Sequence, residues 1–182
     1  MASEAAPSQS GRPLLRTTLI LIPAFAFVAL LVYAVLQEGS APAVGDPAPD
    51  FEGPLLSGGS LSLSELDGKP VFLNFWWSGC EPCKDEAPLI DRAQRAYEGE
   101  IAFVGINIRD ARADAVEFAD RYDLDFPHVR DETLEIYRDY GLTGQPESFF
   151  IDQHGVIVEH VPGPLDDEAL TQLLDVLVAR NG

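Results

Sequence analysis

The chain has 182 residues, 30 acidic against 12 basic side chains, and a net charge of −18. That length allows one domain and a tail, and that charge argues against nucleic acid and anionic lipid headgroups as ligands. Two cysteines in the whole chain are too few for a disulfide-stapled scaffold.

Taken in chain order, residues 1–13 are small and polar and predict a disordered tail. Residues 17–36 follow as twenty positions without a charge, enough to span a bilayer as a helix. With their flanks they give an anchor over residues 14–37. Pro23 is tolerable near one end and Tyr33 suits the far interface. Arg12 and Arg16 precede the span, whereas Glu38, Asp46 and Asp50 follow it. The positive-inside rule then keeps the N-terminus cytoplasmic and puts the rest outside the membrane. A cleaved signal peptide is the weaker reading: its apolar region is about 7–15 residues, and Pro42 interrupts the small-residue site at 41–43. From residue 38 on, 29 acids face 10 bases, a net −19. Residues 38–49, rich in alanine, glycine and proline, predict a mobile linker. The domain is expected over 50–182.

Within the domain, residues 51–56 and 60–63 alternate around Ser57-Gly58-Gly59 and predict a β-hairpin. A helical turn is expected over 64–68. Residues 71–76 are apolar, β-branched and aromatic, as in a buried strand. A helix is expected over 84–97, bent by Pro88. Residues 101–108 predict a second buried strand. Ala115, Phe118 and Ala119 mark the apolar face of a helix over 114–122. A helix is also expected over 131–140. Residues 148–152 and 156–161 read as a hairpin around 153–155. A last helix spans 166–180, with Asp166 or Asp167 as N-cap. Strands alternating with helices imply an α/β domain with a mostly parallel sheet, to which the closing hairpin adds antiparallel strands.

The two cysteines stand at Cys80 and Cys83, where the first buried strand hands over to its helix. Pro82 fits a first helical turn. Unpaired N–H groups and the macrodipole at a helix N-terminus stabilise a thiolate. Cys80 is therefore expected at that terminus, facing solvent, with Cys83 more buried. The pair suits thiol–disulfide exchange: Cys80 attacks a partner disulfide, and Cys83 then attacks Cys80 and releases the partner reduced. A structural disulfide so short would constrain the unfolded chain little. Zinc needs four ligands, and His128, His154 and His160 lie at no ligand-like spacing from the cysteines, so no metal is expected. Haem attachment requires histidine after the second cysteine, and residue 84 is lysine.

The run Asn74-Phe75-Trp76 … Cys80-Glu81-Pro82-Cys83-Lys84-Asp85-Glu86 … Pro88 resembles the active-site segment of the thioredoxin superfamily. Residues 141–152, GLTGQPESFFID, are similar to a second signature of its membrane-anchored ResA, TlpA and DsbE-type branch. The resemblance covers the chain from about Val44 on. It implies a thioredoxin-like fold, a mixed central sheet flanked by helices with an N-terminal β-hairpin, beside the single transmembrane helix. It implies a redox-active Cys80–Cys83 disulfide and no cofactor. It makes Pro146 the cis-proline facing the dithiol, with Gln145 offering its backbone to an incoming peptide. Glu86 matches the buried acid of the cytochrome-maturation members, placed to raise the pKa of a thiol and relay its proton. Glu81, between the cysteines, opposes their activation. The implied partners are a protein disulfide, that of apocytochrome c or another exported protein, and a membrane electron donor of the thiol-reducing type. One departure stands out. Gly79 occupies the place where relatives carry tryptophan, so the aromatic lid is either absent or supplied by Trp77.

Two other activities share the fold. A peroxiredoxin-like peroxidase uses threonine three residues before its cysteine and proline four residues earlier; those places hold Trp77 and Leu73. A copper-binding chaperone spaces its cysteines by three and adds a downstream histidine. Neither pattern is present.

Overall fold

The computed structural model describes residues 27–30 and 41–180. Residues 27–30 are helical; the rest of the expected anchor lies outside the described residues, among which no helix is long and apolar enough to cross a membrane. Ala41 begins a separate compact unit.

That unit is built on a five-stranded sheet of order β5-β4-β3-β6-β7. Its strands are β3 (Val71–Trp76), β4 (Ala102–Ile108), β5 (His128–Asp131), β6 (Glu147–Ile151) and β7 (Ile157–Pro162). β3 pairs parallel with β4 and antiparallel with β6. It is central and buried along its whole length. Strand alternation splits its side chains between two cores. Phe72 and Trp76 face one core, packed with helix α1 (Glu81–Ala96), helix α2 (Arg112–Arg121) and helix α4 (Asp167–Ala179). Val71, Leu73 and Phe75 face the other, with the hairpin side of the molecule and helix α3 (Glu135–Asp139). The hairpin pairs β1 (Glu52–Pro54) with β2 (Ser60–Ser62), and a 3₁₀ turn at Leu63–Leu66 follows it. Mixed sheet, flanking helices and N-terminal hairpin are as the resemblance implies.

Four expectations are corrected. β5 lies inside a stretch read as loop and helix: His-Val-Arg-Asp has no strand pattern of its own and is a strand through its parallel ladder with β4. The helix expected over 131–140 shrinks to α3, because Asp131 ends the strand and Leu134 takes a left-handed backbone, φ 59°. The linker's second half is docked: Gly45 N–H donates to Ile157 O and Ile157 N–H to Asp46 O, at 2.8 and 3.0 Å. α1 also begins earlier than expected, at Glu81, and runs unbroken through Pro88.

Candidate active site

Cys80 is the N-cap of α1, as its place in the sequence predicts; Cys83 N–H donates to its Sγ at 3.2 Å, and Pro82 takes the first turn. This contact is the local reason a thiolate suits residue 80. The two cysteines form a disulfide, Cα atoms 5.2 Å apart. The expected contrast in exposure does not appear: Cys80 is 5 % exposed and Cys83 2 %. Cys80 belongs to the same buried cluster as Trp76 and Leu165. Glu81 points outward and pairs with Lys84 at 2.6 Å.

Trp77 is half-buried, and its indole lies over Gly79. A Cβ on Gly79 would come within 2.2 Å of the ring. The aromatic missing at 79 and the aromatic present at 77 thus compete for one space.

Glu86 is 2 % exposed. It lies on the face of α1 that carries Cys83, three residues on. Its Oε1 accepts from Asn74 Nδ2 at 2.9 Å and its Oε2 from Leu165 N–H at 3.1 Å. Burial pushes its pKa up from 4.5 to about 7, against both hydrogen bonds. A carboxyl poised there can take and return a proton near neutral pH. Asn74 also donates to Ser148 Oγ at 3.0 Å, its partner in the β3–β6 register. Asn74 and Ser148 stand within the two quoted signatures, but motif reasoning gave them no role; the structure joins them to Glu86. The available signal was one amide in an otherwise apolar buried strand.

The Gln145–Pro146 bond is cis. Phe75 pairs with Glu147 in the ladder, so Pro146 lies one step beyond, beside Trp76, where β3 runs into the dithiol loop. Gln145 Nε2 is buried and has no hydrogen-bond partner among the described residues. Glu147, 3 % exposed, organises this loop from below. Its Oε1 accepts from Thr143 N–H and Gly144 N–H at 2.9 and 2.8 Å, and its Oε2 meets His160 Nε2 at 2.8 Å. His160 stacks on Phe149, ring centroids 4.1 Å apart.

His128 is buried and serves the core. Its Nδ1 accepts from Trp76 Nε1–H at 3.2 Å. Because an indole only donates, the proton sits on Nε2, facing Leu124 O at 3.2 Å. Among the described residues no group of acids, cysteines and histidines could hold a metal ion.

A disulfide at a helix N-cap, set at the carboxyl end of the central strand of a mixed five-stranded sheet, defines a class: a thioredoxin-fold thiol–disulfide oxidoreductase. Comparison with known proteins agrees. The AhpC/TSA family profile matches residues 44–160. The thiol-disulfide oxidoreductase ResA of Geobacillus thermodenitrificans is 32 % identical over 164 residues, 89 % of this chain and 94 % of that protein. The thioredoxin-like protein YneN of Bacillus subtilis is 36 % identical over 135 residues, covering 72 % and 79 %. A secreted Mycobacterium tuberculosis disulfide oxidoreductase homologous to DsbE superimposes with a TM-score of 0.66 at 28 % identity, covering 70 % of this chain and 96 % of that one. The chain belongs to the AhpC/TSA family and, within it, is a thiol–disulfide oxidoreductase of the ResA/DsbE type.

Proposed function

We propose that this protein is a membrane-tethered, extracytoplasmic reductase of protein disulfides, acting on apocytochrome c or other exported proteins. The tether is the apolar stretch 17–36 with arginines on its N-terminal side. Residues 1–13 form its cytoplasmic tail, and a membrane electron donor of the thiol-reducing type restores the dithiol.

The observation that carries the chemistry is the Cys80–Cys83 bond at the N-cap of α1. In the reduced protein the Cys80 thiolate attacks one sulfur of the substrate disulfide and forms a mixed disulfide, releasing the other sulfur as a thiolate. Cys83 gives its proton to the Glu86 carboxylate and attacks the Cys80 sulfur. The second substrate sulfur leaves, so the substrate gains two thiols and the protein regains its disulfide. Glu86, near-neutral in pKa, then returns the proton. Gln145 offers its backbone to the substrate chain beside Pro146, while Trp77 forms the apolar wall. The accessible edge of Cys80 is small, so the substrate disulfide must approach it closely along that edge.

Cys83→Ser is the direct test. The variant accumulates a mixed disulfide through Cys80 with exported proteins, resolvable by non-reducing gel and mass spectrometry. Absence of any Cys80 adduct in cells, with no dithiol activity in the wild type, contradicts the reading. A reduction potential above that of exported-protein disulfides contradicts the reductive direction alone.

A further inference from the structure

The loop that carries β3 into the dithiol is gripped from the neighbouring strand. β4 ends at Ile108, and Arg109 adopts a left-handed backbone, φ 64°. That conformation is unfavourable for a non-glycine residue. It turns the chain so that the next carboxylate reaches the end of β3. Asp110 Oδ2 accepts from Ser78 N–H at 2.8 Å, and its Oδ1 accepts from the Ser78 hydroxyl at 2.7 Å. The carboxylate is steadied in turn by Asn107 Nδ2, which donates to Oδ2 at 2.7 Å. Asn107 is 2 % exposed and lies opposite Trp76 in the β3–β4 register. Ser78 is two residues from Cys80, and between them stands Gly79, whose Cβ position is occupied by the Trp77 ring. Three hydrogen bonds to one carboxylate therefore fix the turn that delivers the cysteine to its helix.

We propose that Asp110 is a positioning residue for the dithiol. By holding Ser78 at backbone and hydroxyl together, it keeps residues 77–79 in the turn that seats Trp77 over Gly79 and aims the Cys80 sulfur at an incoming disulfide. Hydrogen bonds to an ionised acceptor are shorter and stronger than neutral ones. A loop ordered in advance leaves less entropy to lose when the reacting sulfurs align. The proposal rests on the reading of Cys80 as nucleophile and adds what presents it.

The test uses the full chain in detergent, reduced and mixed with oxidised glutathione. Cys80 takes one glutathionyl group and releases one glutathione; Cys83 releases the second, so two protein thiols become a disulfide as one glutathione disulfide becomes two thiols. The second-order rate constant is read on the high-pH plateau, where removal of the Asp110 charge no longer alters the thiolate fraction. Asp110→Ala lowers that plateau about tenfold per folded molecule, whereas Asp110→Asn, which keeps one acceptor for Ser78, stays within about threefold of wild type. Ser78→Ala falls between them, and the change in fluorescence of the Trp76–Trp77 pair on reduction shrinks in the order of the rates. A wild-type plateau in Asp110→Ala, or a loss equal to its unfolded fraction, overturns the proposal. Should Asp110→Ala fail to fold, wild-type rates in both Ser78→Ala and Asp110→Asn overturn it. Failure of the underlying reading looks different: the rate then survives Cys80→Ser in the otherwise wild-type chain.

Discussion

Burial acts in opposite senses on two side chains of this domain. It pushes the Glu86 carboxyl up to about 7 and the His128 imidazole down to about 4, the latter partly offset by the hydrogen bond to Leu124. Between pH 4.5 and about 7 the folded protein keeps a proton on Glu86 that the unfolded chain has released, so stability falls as pH rises through that window. Between about 4 and 6.5 the unfolded chain protonates His128 while the folded protein does not, so stability falls as pH drops. Each shift amounts to roughly 3 kcal/mol, and where the windows overlap the two slopes oppose. Glu86→Gln removes one of them. Its stability, followed by urea denaturation of the oxidised protein, then declines more steeply than wild type from pH 6.5 toward 4, by roughly 3 kcal/mol over the range. Parallel curves for the two proteins exclude a raised Glu86 pKa. At this scale the sequence was most informative: cysteine count, spacing and the proline before Cys83 marked the chemistry. Asp110 left no trace in it, because an aspartate after a strand is ordinary until the fold brings Ser78 within reach.

At the scale of elements, β4 shows what a single missing side chain permits. Trp76 on β3 reaches across Gly105 to His128 on β5. A Cβ at Gly105 would lie 2.2 Å from His128 Nδ1 and 2.7 Å from Trp76 Nε1. Gly105→Ala therefore forces the two rings apart and costs about 3 kcal/mol, the sum of overpacking and a lost buried hydrogen bond. Gly144→Ala, where nothing lies within 4 Å of the added carbon, is close to neutral. Equal midpoints for the two variants in chemical denaturation contradict this account. Long elements with strong periodicity were legible in advance: β3, β4, α1 and α4 lie within a few residues of their expected places. Asp166 caps α4 by accepting from Ala169 N–H at 2.8 Å. β5 was not legible, because only the neighbouring β4 ladder makes four mixed residues a strand.

For the molecule as a whole, a net charge of −18 means that folding concentrates like charge. The ion pairs that relieve it, such as Arg92–Asp167 and Arg121–Glu117, are exposed and worth little each. Salt screens the remaining repulsion. Raising sodium chloride from about 0.01 M to 0.5 M is expected to raise Tm by about 2–4 °C, the equivalent of roughly 1 kcal/mol in a chain of this size. A Tm that is flat or falls with salt in calorimetry contradicts it. What the amino-acid order determined alone was local: which stretches are apolar, where a strand passes to a helix, and that two thiols sit within one turn. Only the folded chain decided how enclosed Cys80 is, that the Trp77 ring occupies the Cβ position of Gly79, and that Glu86, Asn74 and Ser148 meet. Those depend on distances between residues far apart in the chain, and such distances exist only once the sheet has been assembled.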